Sequence, residues 1–475
     1  MSYETTIGLE VHVQLKTRTK MFCGCATGYG EPPNTLVCPV CLGYPGAMPV
    51  MNREAIRLTV ISGLMLGCQI AHWSKFDRKS YFYPDMPKNY QISQYDKPLC
   101  EGGGVTINLE DGTVKTIGLT RIHLEEDVGK NTHFGSSSGV DFNRAGHPLM
   151  EIVTEPDISS PEEAYAFLQA LKQILLYAGV SDCNLEEGNM RCDVNVSMRP
   201  KGQQELGTKA ELKNLNTFKG VFHALQYEQE RQSDLLSRGE RVIQETRRWD
   251  PDRGETSSMR TKEDAHDYRY FPEPDLLPVV LAEGQIAAWR ATLPEAPRMR
   301  RARFVQDFGL PEYDAGVLAA DREIADFFEA AVQAGGSAKS ASNWIMTDVL
   351  RVISETGARI ADLPLTADAL GLLTKLVESG AVNSTGAKKI FDVLVEKGGD
   401  PGQLLEDLGL AQVSDSGALE KMVDEAIADN PKSVADYRNG KAAAAQFLMG
   451  QVMRLSRGKA NPPMVLEMLK QKLDQ

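Results

Sequence analysis

No apolar run in this chain reaches the roughly 18 residues that a membrane-spanning helix needs. The start, Met1-Ser2-Tyr3-Glu4-Thr5, lacks the basic residues and apolar stretch of a signal peptide, which leads us to expect a cytoplasmic protein with reduced thiols. There is no G-x-x-x-x-G-K-S/T phosphate loop, so no standard motif announces a nucleotide. Internal repeats and low-complexity tracts are missing as well. Nor is there an excess of positive charge: a net charge of −13 argues against a surface coated in nucleic-acid-binding basic groups.

What is present is an ordinary globular composition, with 42% hydrophobic and 25% charged residues. At 475 residues the chain is too long for one core, and roughly 100 to 200 residues per domain implies two or three. The charge is uneven. From Tyr437 to the end, seven basic residues (Arg438, Lys441, Arg454, Arg457, Lys459, Lys470, Lys472) face two acidic ones, a local +5 that leaves −18 for the rest.

Up to about residue 290, short strand-like runs alternate with Gly, Pro and Asn turns; beyond Thr292-Leu293-Pro294 the pattern is helical. Ile7, Leu9, Val11, Val13 and Leu15 share one strand face, so Glu10 and His12 point together on the other. A helix is expected from about Pro161 to Ala178, with Ser160 as its cap and Glu163 completing a capping box. Past Pro294, apolar residues recur at helical spacing, as in Leu370, Leu372, Leu373, Leu376 and Val377.

Two clusters carry candidate chemistry. Alternation puts His123 with Glu125 on one face of a strand, Asp193 with Asn195 on a second, and Lys209, Glu211 and Lys213 on a third. With Glu10 and His12, these carboxylates could assemble an oxygen-rich Mg²⁺ site, although a polar strand face more often simply meets water. The second cluster is a CxC pair, Cys23 and Cys25, followed after twelve residues by a CxxC pair, Cys38 and Cys41. That spacing suits a Cys₄ structural zinc. A disulfide does not fit a reducing compartment, and no nearby signature supports a catalytic thiol. Cys68, Cys100, Cys183 and Cys192 stand singly and read as small buried apolar groups. Gly135-Ser136-Ser137-Ser138-Gly139 faintly resembles an amidase serine loop but lacks its surroundings and reads as a turn.

The run Val140-Asp141-Phe142-Asn143-Arg144-Ala145-Gly146-His147-Pro148-Leu149-Met150-Glu151-Ile152 resembles the signature of the GatB/GatE family, the B subunits of the glutamyl/aspartyl-tRNA amidotransferases with their archaeal relatives. IGLEVHVQL at 7–15, KFDRKSYFYPDMPKNYQISQYDKPL at 75–99, HLEEDVGK at 123–130 and DYRYFPEPDLLP at 267–278 resemble the same family. Gly440-Lys441, Phe447-Leu448, Gly450-Gln451 and Gly458-Lys459-Ala460-Asn461-Pro462 resemble its tail domain.

The resemblance implies an α+β fold: a cradle-shaped catalytic domain on an antiparallel sheet over 1–292, a helical connector over 293–330 and a helical tRNA-binding tail over 331–475. It also implies ATP, Mg²⁺, and phosphorylation of the side chain of misacylated Glu-tRNA(Gln) or Asp-tRNA(Asn). A separate amidase (glutaminase) subunit would supply ammonia through an internal conduit, and a small third subunit would wrap both. By that resemblance Glu10, His12 and Glu125 are the firmest metal ligands, with Asp193 and Glu211 behind them. Lys79, Lys88 and Glu126 would line the conduit, against the plainer reading of a surface salt-bridge set. Arg247, Arg248 and Arg269 would meet nucleotide phosphates or tRNA. Lys441, Arg454, Arg457 and Lys459 would contact tRNA, unless they only keep a helical domain soluble. A scaffold that merely presents tRNA to the amidase fits the tail equally well, but has no need to gather acidic groups.

Overall fold

The computed structural model describes residues 2–261, 268–412, 416–439, 441, 443–456 and 458–474. The chain divides into two compact units, Met1–Ala296 and Pro297–Gln475.

In the first unit the alternation of the opening strand, Tyr3–Gln14, is realised directly: Ile7, Leu9, Val11 and Val13 are buried and the residues between them are not. This strand is central in a ten-stranded sheet among the described residues. Met190–Pro200, Ala210–Lys213, Glu245–Asp250 and Glu255–Thr261 follow in order on one side of it. Pro148–Thr154, Val114–Glu126, Cys100–Glu101 and Gln69–Ile70 follow on the other, and Gly104–Asn108 also pairs with Val114–Glu126. The pairs are antiparallel, as expected, except one: Ala210–Lys213 runs parallel to Glu245–Asp250. Lys209 lies just outside its strand.

One sheet face is apolar and covered. The helix Pro161–Tyr177 starts where expected, with Ser160 Oγ accepting from the Glu163 N–H; the Glu163 carboxylate reaches back to the N–H of Ser159. The helix Phe218–Ser237, capped by Thr217, packs beside it and over Met190–Pro200. Ile7, Leu9, Val11, Ile122, Leu124, Ile152, Val194 and Leu212 form one core with Phe167, Leu168, Leu171, Val221 and Leu225 from these helices. The opposite face is polar and open over Glu10, His12, Asp193 and Glu211, while His123, Glu125 and Glu151 on it are buried.

A smaller sheet, Phe271–Pro272, Asp77–Ser80 and Tyr90–Ser93, is fastened to the end of Val114–Glu126. Gln91 Nε2 donates to the Glu126 carbonyl, the Ile92 N–H to the Glu126 carboxylate, and the Leu124 N–H to Gln94 Oε1. Gly135 and Ser136 form the turn of the hairpin Lys130–Phe134 and Ser137–Asp141, bearing out the turn reading.

The second unit is helical, as its periodicity predicts. The helix Ala367–Glu378 buries Leu370 and Leu373 in a core that spans Phe304 to Leu405, and residues 297–330 contribute Phe304, Leu310, Leu318, Ile324 and Phe328 to it. Four helices from Ser416 to Leu473 close around Leu419, Val423, Leu448, Val452, Val465 and Leu469. Among the described residues, no helix is long and apolar enough to cross a membrane.

Candidate active site

Antiparallel register assembles the site. On the open face His12 is paired with Glu151 on one neighbouring strand and with Arg191 on the other, and Glu151 is paired in turn with His123. Four strands therefore present Arg191, His12, Glu151 and His123 in one row, with Glu125 two residues along from His123. His12 Nε2 lies 3.2 Å from Glu151 and 3.8 Å from Glu125; His123 Nε2 lies 3.5 Å and 3.8 Å from the same two carboxylates. Ligand atoms of His12, Glu125 and Glu151 all fall within 4.8 Å of one another. The two carboxylates suit a hard divalent cation, and the imidazole nitrogen widens the range toward transition metals.

Sequence reasoning missed Glu151 as a candidate ligand. Its signal is a single charge inside the otherwise apolar strand Pro148–Thr154.

The electrostatics match a site that attracts positive charge. Burial works against ionising Glu125, but its His123 hydrogen bond and the Lys79 and His12 charges hold its pKa below the ordinary carboxylate value. Burial opposes the charge of Glu151 too, yet His123 and His12 shift it down. Glu10 is shifted up by burial and by the neighbouring charges of Glu151 and Asp193, while an Asn195 hydrogen bond of 3.0 Å partly offsets them. His12 resists protonation through burial, yet Glu151 and Glu125 raise its pKa overall. Just beyond, Asp127 binds Arg191 at 2.6 Å and Gln14 at 2.7 Å. Burial opposes its charge, but Arg191 and Arg144 hold the carboxyl at about 2.

Other expected residues fall in different places. Asp193 and Glu211 share the open face but are bridged by Lys213, at 2.6 Å and 2.9 Å, and stand outside the His12, Glu125, Glu151 group. Lys88 and Glu126 form a buried ion pair, so the surface salt-bridge reading fails for them. Lys79 lies 4.9 Å from the centre of the Tyr268 ring. Arg247 is corrected: it is turned to the helix-covered face, where Thr256, Glu245 and the buried Glu228 take up its guanidinium. The next residue, Arg248, is exposed at the strand position paired with Lys213, beside the open face. Arg269 is exposed and holds a left-handed backbone, φ +44°.

The four cysteines of the CxC and CxxC pairs do come together, with all Sγ atoms within 4.8 Å and Cys38 and Cys41 at 3.9 Å. A tetrahedral ion with bonds of about 2.3 Å needs sulfurs about 3.8 Å apart, so the cage fits a zinc-sized metal. The Cys23 thiol donates to Cys41 and, with the Lys20 ammonium at 3.7 Å, pulls Cys41 down to about 4. The four single cysteines are buried. In the tail, Lys441 pairs with Asp436 at 2.9 Å, Arg454 and Lys459 are exposed, and Arg457 lies outside the described residues. Lys472 is engaged by Glu420 and Asp424, and over residues 416–475 nine basic residues meet seven acidic ones, so the +5 shrinks to +2.

Residues 5–287 match the family model described as the GatB/GatE catalytic domain, and residues 326–473 the one described as the GatB domain. The sheet with its histidine-carboxylate row is thus the catalytic domain of a two-part protein. The chain belongs to the GatB family, the B subunits of the aspartyl/glutamyl-tRNA(Asn/Gln) amidotransferases. It is 54% identical over 477 aligned positions to the B subunit of that name from Halorhodospira halophila, covering 100% of both chains. To those from Caldanaerobacter subterraneus subsp. tengcongensis and Brevibacillus brevis it is 52% and 51% identical, each over 474 positions, covering 100% and 99% of both chains.

Proposed function

We propose that this chain activates a tRNA-borne carboxylate. With ATP it phosphorylates the side chain of Glu-tRNA(Gln) or Asp-tRNA(Asn), and ammonia from the amidase partner then displaces phosphate to give the amide. A small third protein completes the complex. The observation that supports this best is the row of His12, Glu151 and His123 with Glu125, a compact acidic centre that a passive tRNA platform would not need. The relatives' shared name supports the tRNA substrates and the multi-subunit assembly.

Chemistry supplies the reason for ATP. At neutral pH a carboxylate meeting ammonia only forms a salt, so one oxygen must first become a phosphate leaving group. Mg²⁺ held by His12, Glu125 and Glu151 would neutralise phosphate charge and orient the transfer. Glu10 would be a further oxygen donor beside it, whereas Asp193 and Glu211, bridged by Lys213 outside that group, would have to release the lysine to join. Arg248 and Arg269 are the candidates for phosphate contact. Lys79, Lys88 and Glu126 would line the ammonia route. Zinc in the Cys23, Cys25, Cys38, Cys41 cage would brace the neighbouring loops, since Gly43 packs against Lys88. The tail, through Lys441, Arg454, Arg457 and Lys459, would hold the body of the tRNA.

The test is ATP cleavage by the assembled heterotrimer with and without misacylated tRNA. Cleavage that rises with the misacylated tRNA supports the reading; cleavage indifferent to it contradicts it.

A further inference from the structure

Neighbouring cations on the strand Asp77–Ser80 are held in opposite ways. Arg78 is clamped by Glu273 at 2.8 Å and Asp275 at 3.0 Å, and lies over the Tyr90 ring at 4.3 Å. Lys79 projects the other way, toward the fields of Glu125 and Glu151. Among the described residues its ammonium has neither a carboxylate nor a hydrogen-bond partner; it has the face of Tyr268, 4.9 Å away.

That ring is itself part of a closed chain of contacts. Tyr268 meets Tyr270 edge-on at 6.2 Å, and Tyr270 stacks on Tyr95 at 4.2 Å. The Tyr95 N–H returns to Asp77 on Lys79's own strand, at 3.1 Å. The Tyr268 carbonyl accepts from Ser80 at 2.9 Å, and Phe271 pairs with Arg78. Arg269, between the two tyrosines, adopts a left-handed backbone that costs an L-residue energy and is kept only where the surroundings impose it.

We propose that Tyr268 is a positioning residue that holds the Lys79 ammonium at the edge of the acidic centre by its ring face, with Tyr270 and Tyr95 as its brace. A ring face suits this task because it attracts a cation without consuming its N–H donors. A carboxylate partner would neutralise the charge and occupy a donor, as happens to Lys88 at Glu126. The ammonium thus remains able to donate to whatever passes toward Glu125. This last step rests on the reading of Lys79 as lining the ammonia route.

The test uses the assembled complex carrying Tyr268→Leu, Tyr268→Phe, Lys79→Met and the Tyr268→Leu, Lys79→Met pair. Acylation of Lys79 by acetic anhydride, followed by peptide mass spectrometry against exposed Lys16, reads the ring's hold directly. Tyr268→Leu should speed it about two- to fivefold, the worth of one modest cation–π interaction, and Tyr268→Phe should restore the wild-type rate. The second readout is amide-tRNA formed per glutamine hydrolysed. It should fall in Tyr268→Leu, recover in Tyr268→Phe, and be no lower in the double variant than in Lys79→Met alone. Unchanged acylation in Tyr268→Leu, or additive losses in the double variant, overturns the positioning role. Faster acylation in Tyr268→Leu with full coupling in Lys79→Met upholds the positioning and overturns the ammonia-route reading of Lys79.

Discussion

His12 and Glu151 stand directly opposite each other on adjacent antiparallel strands, Nε2 to carboxylate oxygen 3.2 Å. The pairing makes Glu151 as much a candidate ligand as His12 or Glu125. Glu151→Gln should weaken divalent-cation binding by at least about tenfold while leaving the melting temperature near that of the parent, because metal centres depend on each donor's charge as well as its place. Titration with Mn²⁺ followed by electron paramagnetic resonance measures it. Unchanged affinity would remove Glu151 from the centre.

Arg247 and Arg248 are sequence neighbours on opposite faces of one strand, and their substitutions should separate accordingly. Arg247→Ala removes one of the two arginines that hold the buried Glu228 carboxylate, Arg231 remaining, and should cost about 1–3 kcal/mol in denaturant unfolding. Arg248→Ala should stay within about 0.5 kcal/mol and weaken nucleotide binding instead. The reverse pattern would refute the placement.

Glu228 also sets a pH dependence. Burial opposes its charge, but hydrogen bonds from Arg231 and Thr256 hold its pKa below the ordinary glutamate value in the folded chain. A lowered folded pKa means that its stabilisation is complete above the unfolded value of about 4.3 and is lost as pH falls through the folded value. Glu228→Gln should therefore flatten the loss of stability of the first unit below that pH. An unaltered acid limb would show that Glu228 does not contribute to it.

The cysteine cage should hold one zinc per chain. Elemental analysis of protein purified without chelator checks this, and Cys38→Ser with Cys41→Ser should abolish the metal. The same change deprives buried Lys20 of the Cys41 sulfur, so a lower melting temperature should accompany it.

For the tail, replacing Lys441, Arg454, Arg457 and Lys459 together by Gln should reduce the salt dependence of tRNA binding, by about one logarithmic unit for each phosphate no longer neutralised. Filter binding across a salt series reads the slope. An unchanged slope leaves recognition to the first unit.

What is legible in the sequence follows the range of the interaction. The opening strand and the helix after Ser160 can be read because alternation and capping are local, and the cysteine cage because both pairs lie within nineteen residues. Glu151 cannot be recognised as the partner of His12, since register between strands some 139 residues apart is not written in either strand alone. Arg247 escapes for a related reason. Period-two counting does separate it from Arg248, but the buried Glu228 that takes up its guanidinium sits on a helix that the strand's own sequence does not name. The split of Asp193 and Glu211 from the centre depends on Lys213, whose charge the sequence displays but whose position between them only the sheet supplies.

The proposed chemistry is tested most directly by ATP cleavage in the assembled complex carrying His12→Ala or Glu125→Gln. Glutamine hydrolysis, assigned to the amidase partner, should remain measurable in both, while cleavage of ATP dependent on misacylated tRNA should disappear. Normal tRNA-dependent ATP cleavage in both variants would contradict the assignment of carboxylate activation to this centre.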